Sequence, residues 1–411
     1  MLMASCASSQ TNPKQTGDDE NTSVEESSSA ETSSIAILSK LTPELKKELS
    51  LDGYVFNVLI SPANDDWTIS DLVADDNTGD VMSDAVFKRN QWLEANFGFE
   101  IKADYSSNTA VPELTTLILS DDHTYDAFFP MGYTAATAVG QGLLYNLKDL
   151  KYLDLDNGCW SHMLSDSLEI DGKLFYAAGA ISTNSYDALT FVMFNKPLQK
   201  SNNLEDPYQL VLDGKWTFDK FAEMASQVSS DLNGDTKMDA DDQYGLVWQQ
   251  TVGVMPFIYG MGEMSVKPNE SGIPTINIDS ERFIQVYNKI RDTIADKTVF
   301  YAGDDDVIFK MFYEGRSLFY IEVMERAKQL RPYELDFGFL PLPKYDENQK
   351  EYIQYVNGWC LSPIVVAKNN SNPDRTGFII EAIAEASKEY LVTPYYEKIL
   401  YGKTIRDDES I

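Results

Sequence analysis

Tyr54-Val55-Phe56-Asn57-Val58-Leu59-Ile60, entered from Gly53, is the run on which the reading of the fold turns. It is rich in β-branched and aromatic residues and follows a glycine, so it reads as a first strand. Residues 80–97 then change period: with Asp80 or Ser83 as cap, Val86, Leu93 and Phe97 share one helical face. Ile101 to Tyr105 reads as a second strand. Val111 to Leu119 reads as a short helix with Pro112 in its first turn. Tyr125 to Phe129 is a third strand and Thr134 to Tyr145 a helix. This βαβαβα order predicts an α/β chain with a parallel sheet covered by helices. Further strands are predicted at 173–178 and 190–194, and helices at 217–229, 280–294 and 374–389. Phe283, Ile284, Tyr287, Ile290 and Ile294 give the second of these helices an apolar stripe.

The composition closes off several function classes. The chain has 411 residues and a formal net charge of −32, from 33 Lys+Arg against 65 Asp+Glu. Nucleic-acid binding needs stripes of Lys and Arg against phosphate, and none is present. A basic face for an anionic membrane is missing too. No apolar run reaches the ~18 residues of a membrane-spanning helix. His123 and His162 are the only imidazoles, which argues against a His-ligated metal or a multi-His chemistry. There is no G-x-S-x-G, P-loop, G-x-G-x-x-G or H-E-x-x-H motif. A glycosidase pair of carboxylates is compatible with the composition, but 65 acids make chance pairs inevitable, so their presence decides nothing. Cys159 and Cys360 each stand beside a Trp and read either as buried free thiols or as a long-range disulfide.

Residues 7–35 are Ser, Thr and Glu with almost no large apolar side chain, and read as a disordered tether. Just before it, Met3-Ala4-Ser5-Cys6 is similar to the end of a bacterial lipoprotein signal, in which the Cys carries the lipid. Only five residues precede Cys6, so the charged and apolar parts of such a leader are missing; a misassigned start or a truncated chain is expected, with a chance Cys in a floppy terminus as the alternative.

The sharpest chemical motif is acidic. Asp231-Leu232-Asn233-Gly234-Asp235-Thr236-Lys237-Met238-Asp239-Ala240-Asp241-Asp242 places side-chain oxygens at positions 1, 3, 5, 9 and 12, with the Lys237 carbonyl at 7. That is the EF-hand order of hard ligands for Ca2+. Thr236 replaces the usual Gly and Asp242 the usual Glu, and Gln243 to Trp248 reads as a strand rather than a second helix. The expectation is a lone structural Ca2+ loop held by Asp231, Asn233, Asp235, Lys237, Asp239 and Asp242; a solvated acidic turn is the alternative.

An α/β sheet binds ligands outside the carboxyl ends of its strands. Ser61 to Trp67 follows the first strand and Pro130 to Tyr133 the third, so both loops are expected on one edge.

From about Gly53 onward the order of short motifs resembles the family 1 extracellular solute-binding proteins of bacterial ABC transporters. The pieces are Asp171-Gly172-Lys173-Leu174-Phe175-Tyr176, Phe194-Asn195-Lys196, Trp216-Thr217-Phe218-Asp219, the acidic loop ending in Tyr244-Gly245, Phe257 to Gly262, Pro341-Leu342-Pro343 and Asn357-Gly358-Trp359. The resemblance implies a two-lobe periplasmic-binding-protein-like fold of class II type, with a hinge and an interlobe cleft. It implies crossings near 182–187, 322–326 and 359–363. Residues 1–50 would be signal remnant and tether, 51–185 plus 325–361 lobe 1, and 186–324 plus 362–411 lobe 2. Family members often continue past a helix such as 395–401, so the carboxyl end is expected to be incomplete.

The implied function is a monomeric, lipid-anchored extracellular receptor, and not an enzyme. It captures a small solute by hinge closure and hands it to ABC permease subunits. An oligosaccharide is the expected solute, because aromatic faces stack on sugar C–H surfaces while Asp, Asn and Gln bond the hydroxyls. Trp67, Tyr133, Trp248 and Trp359, beside Asp66, Gln249 and Asn357, are the expected ligand residues. A secreted glycoside hydrolase, and a sensor or adhesin ectodomain, are the competing readings.

Overall fold

A computed structural model describes residues 35–61, 71–74, 78–107, 110–249 and 253–410. Cys6, Asp66 and Trp67 lie outside the described residues.

The first strand forms as predicted. β1 (Tyr54–Ile60) is flanked on one side by β2 (Phe99–Tyr105) and on the other by β3 (Ala127–Phe129), all parallel. Its side chains alternate between two cores: Phe56, Val58 and Ile60 enter one apolar cluster, and Leu59 another with Phe128. The helix after β1, Val81–Phe97, starts at Asp80, whose carboxylate accepts the N–H groups of Met82 and Ser83. It ends at Gly98, where φ is +90° and a side chain would be strained.

The second sheet is mixed. β4 (Leu189–Asn195), β5 (Tyr244–Gln249), β8 (Phe300–Gly303), β9 (Ser317–Val323) and β10 (Phe337–Leu340) run in the spatial order β10-β4-β9-β5-β8, and β11 (Tyr355–Val356) adds to β4. β6 (Val266–Pro268) and β7 (Pro274–Ile276) form a separate hairpin between β5 and β8 in sequence. β5, β8 and β9 are parallel neighbours; β4 is antiparallel to β9, β10 and β11. Helices at Phe218–Ser226, Glu281–Ile294 and Asp305–Tyr313 cover its two faces. Residues 173–178, expected as a strand, make only isolated bridges, Ile170 with Lys173 and Ala177 with Ile364.

The packing corrects the expected division of the chain. The resemblance places residues 325–361 in lobe 1, but β10 pairs with β4 in the second sheet, and Met324, Ala327, Phe337 and Phe339 share one core cluster. It places residues 362–411 in lobe 2, but Ile364, Val366 and most of Phe378 to Ala386 pack in the first lobe. The reason is edge chemistry. β10 is apolar on both faces and saturates an edge of β4, while the run 364–366 covers β3, where Phe128 and Val365 exchange hydrogen bonds. The chain leaves the first lobe near 182–188 and returns near 357–362. It leaves again after the Pro373–Ser387 helix, for Tyr395 and Leu400 pack in the second lobe.

Candidate functional site

The two middle connections lie side by side, and the side chain of Asn184 joins them. Its amide N–H donates to the Cys360 carbonyl at 2.7 Å, and its oxygen accepts the Ser362 N–H at 2.7 Å. The Asn357 N–H donates to the Ala188 carbonyl at 2.9 Å. From the first lobe, Asp71 accepts hydrogen bonds from the Ser182 hydroxyl and from both the N–H and hydroxyl of Thr183, at 2.6–2.9 Å. At the other junction, the Asp187 carboxylate meets Lys328 Nζ at 2.9 Å and the Tyr395 hydroxyl at 2.6 Å. Burial drives the Asp187 carboxyl upward, opposed by the Lys328 charge. The connections between the lobes are thus held by polar side chains, which fix where they bend.

The loop 357–361 is laid on the helix Gly132–Gly140. The Gly132 N–H donates to the Leu361 carbonyl at 2.7 Å, and the Tyr133 N–H to the Gly358 carbonyl at 3.1 Å. A Cβ on Gly132 would lie 3.0 Å from the Gly358 oxygen, so this approach favours glycine. The result is an aromatic platform: the rings of Tyr133 and Trp359 stack with centroids 4.1 Å apart and planes 28° from parallel. Both remain open to solvent, Tyr133 at 39% and Trp359 at 55% exposure. Trp359 is therefore not a core residue.

Beside this platform, in the second lobe, is a shallow, partly open recess lined by Thr190, Trp248, Gln249, Gly253, Pro256, Ile321, Glu322, Tyr355 and Asn357. It opens past the carboxyl ends of β5 and β9, where α/β sheets take ligands. Trp248 is 4% exposed and packs in the core cluster with Phe300 and Ile321, so it forms a wall. A Cβ on Gly253 would fall 1.6 Å from the indole, so any side chain there would displace the Trp248 ring. Asn357 is buried, and its side-chain oxygen accepts the Trp359 N–H at 3.0 Å, tying recess to platform. Burial raises the Glu322 carboxyl from 4.5 to about 7, against the Val323 N–H that bonds it.

Of the residues expected at a ligand site, Trp248, Gln249 and Asn357 line the recess, and Tyr133 with Trp359 forms the platform beside it. Thr190, Glu322, Gly253 and Tyr355 line the recess without having been anticipated. One signal was available: Thr190 is the single polar residue inside the apolar run Leu189 to Phe194.

The acidic loop lies away from the recess, between the Phe218–Ser226 helix and β5. Its side chains bond its own backbone. Asp231 accepts the N–H groups of Gly234 and Thr236, Asn233 that of Asp235, and Asp235 that of Lys237. Asp239 accepts that of Asp241, and the buried Asp242 accepts those of Asp239 and Leu232. The bond from Asp239, then that from Leu232, holds the Asp242 carboxyl below its ordinary value. Among the described residues no three His, Cys, Asp or Glu side chains converge as a metal site. Cys159 and Cys360 are free and buried, which settles that alternative. Among the described residues no helix is long and apolar enough to cross a membrane.

A sequence model described as bacterial extracellular solute-binding protein matches residues 87–392. No curated protein sequence is similar enough to count as a relative. Solved structures of similar fold include a cyclo/maltodextrin-binding protein complexed with maltotetraose, with a TM-score of 0.57 and 16% identity over 86% of this chain and 78% of that one. An ABC substrate-binding protein from Listeria monocytogenes in complex with cycloalternan gives 0.52 and 13%, over 87% and 82%. The GacH receptor of Streptomyces glaucescens, solved unliganded and with acarbose, gives 0.52 and 13%, over 84% and 82%. At such identities the likeness establishes a shared fold, the two-lobe α/β architecture already seen in the two sheets.

Proposed function

Because the chain belongs to the bacterial extracellular solute-binding proteins, we propose that it is the capturing receptor of an ABC importer for an oligosaccharide. It closes its lobes on the sugar and presents it to permease subunits. The observation that carries the sugar is the stacked, solvent-open pair Tyr133 and Trp359 beside a recess whose lining includes the amides of Gln249 and Asn357 and the hydroxyl of Thr190. An aromatic face is matched by the C–H face of a pyranose, and the polar groups by its hydroxyls. The bound sugar bridges both lobes and so favours the closed form by its extra affinity for it. The maltotetraose, cycloalternan and acarbose of the structural neighbours support this class of solute. Family and neighbours are binding proteins rather than enzymes.

Thermal denaturation with maltotriose, maltotetraose and acarbose tests the reading. A sugar at ~100 Kd adds about 2.7 kcal/mol to the native state and raises Tm. Chromatography of the recovered sugar should show it uncut; cleavage would establish a glycoside hydrolase instead, and no Tm shift with any of the three would remove the sugar.

Two further parts of the proposal are separable. Cys6 ahead of a polar tether supports a lipid anchor, and the cell-borne protein should partition into detergent while Cys6→Ser does not. The oxygen donors of the acidic loop support a structural Ca2+ held by Asp231, Asn233, Asp235, Lys237, Asp239 and Asp242. Removing the ion would leave repelling carboxylates, so EGTA should lower Tm and D231A with D235A should abolish that response. A Tm unchanged by EGTA would leave the loop as a turn closed on its own N–H groups.

A further inference from the structure

Thr190 is 3% exposed, and its hydroxyl has no hydrogen-bond partner among the described residues. A buried hydroxyl without a partner is a cost that a folded chain carries only for a reason. The fold does not supply one. Thr190 lies on β4 opposite Val323 of β9 and Tyr355 of β11. Two residues on, Val192 lies opposite Ile321 and enters the core cluster of Trp248. Strand alternation therefore turns Thr190 to the same face as Trp248, toward the recess it lines. Valine has the same β-branched shape and would pack there without the hydroxyl. The position is also where both middle connections enter the second lobe, since Leu189 pairs with Val356 and Ala188 bonds Asn357.

We infer that Thr190 is the specificity-determining residue of the second lobe, its hydroxyl exchanging a hydrogen bond with one hydroxyl of a neutral sugar ring seated in the recess. Gln249 and Asn357 supply further polar contacts to the ring and Trp248 with Tyr355 its apolar walls. This rests on the sugar-receptor reading. The bond exists only when the solute is bound, so the hydroxyl discriminates between solutes without supporting the fold. A sugar lacking that hydroxyl leaves Thr190 unpaired and is rejected.

The test uses the full chain and whichever of maltotriose, maltotetraose or acarbose shifts the wild-type Tm most. Thr190→Val should bind that sugar 5- to 50-fold more weakly in calorimetry, with an apo Tm equal to or above wild type. Thr190→Ser, which keeps the hydroxyl, should stay within about threefold of wild-type affinity. Among monodeoxy analogues of the sugar, one should lose affinity for wild type while binding T190V as the parent sugar does. Wild-type affinity in T190V, or an apo Tm several degrees lower, overturns the inference and leaves the receptor reading intact. A wild-type chain that binds none of the three sugars overturns the sugar reading and this inference with it.

Discussion

Three buried charged side chains of the first lobe, Glu381, Glu385 and Arg89, and two polar groups at the cleft end of the second lobe, Thr190 and Glu322, are treated in opposite ways. Glu381 accepts hydrogen bonds from Trp160 Nε1 at 3.0 Å, Asn157 Nδ2 at 3.0 Å and the Asp154 N–H at 3.2 Å. Glu385 beside it accepts Asn157 Nδ2 at 2.6 Å and the Ile37 N–H at 2.8 Å, which pins the amino-terminal helix Ala36–Lys40. Arg89, fully buried, donates to Asn90, Ser387 and the Leu72 carbonyl. Across the hinge, the Thr190 hydroxyl has no partner among the described residues, and Glu322 bonds the N–H of its own neighbour, Val323. A saturated polar group holds the fold together. An unsaturated one next to an open recess is held ready for something that comes and goes.

The comparison breaks most visibly at Glu381. Glu381→Ala would strand the buried Trp160 indole N–H and take an acceptor from the part-buried Asp154 N–H, while Asn157 keeps Glu385, a loss of roughly 2–4 kcal/mol. The apo protein should melt many degrees lower. Sugar affinity of the fraction still folded should be unchanged, because no part of Glu381 reaches the cleft. A mild effect would mean that water or neighbouring acceptors replace the carboxylate, and the first-lobe network would lose its structural role.

The two tryptophans sharpen the same contrast without charge. Trp248 is in a core cluster, so Trp248→Ala should cost roughly 3–5 kcal/mol of stability. Trp359 is more than half exposed and stacks on Tyr133. Trp359→Ala should leave apo Tm nearly unchanged and weaken sugar binding at least several-fold, since aromatic stacking contributes ~1 kcal/mol or more beyond area. Tm and Kd measured on both variants decide it. Large Tm losses in both would place Trp359 in the fold rather than the site.

How far the sequence carried depended on whether a signal was local. β1, the helix from Val81 with its Asp80 cap, and the helices at 218, 281 and 373 were legible because period and capping are written within a few residues. The division into lobes was not, because it depends on which distant strand saturates an edge: Phe337 to Leu340 carries no mark that it will pair with β4. The same limit governs the site. Trp359, Asn357, Trp248 and Gln249 stood out as residue types. Thr190 and Glu322 are defined by what does or does not bond them, and that appears only when β4, β9 and β11 are side by side.

The smallest effect is a pH slope. Burial raises Glu322 to about 7 and Glu381 to about 7, both from 4.5. Between those values the folded chain keeps protons that the unfolded chain has released. Their contribution to stability is therefore fully present below about 4.5 and is lost as pH rises through 7, the reverse of a salt-bridged carboxylate. Glu322→Gln keeps an oxygen for the Val323 N–H but has no proton to lose. Its stability should change less between pH 5 and pH 8 than that of wild type, by an amount on the order of 1–2 kcal/mol. Urea titrations at the two pH values measure it. An unchanged slope in E322Q would mean that Glu322 ionises as freely as an exposed carboxylate, and the second lobe's cleft end would be no less well solvated than the surface around it.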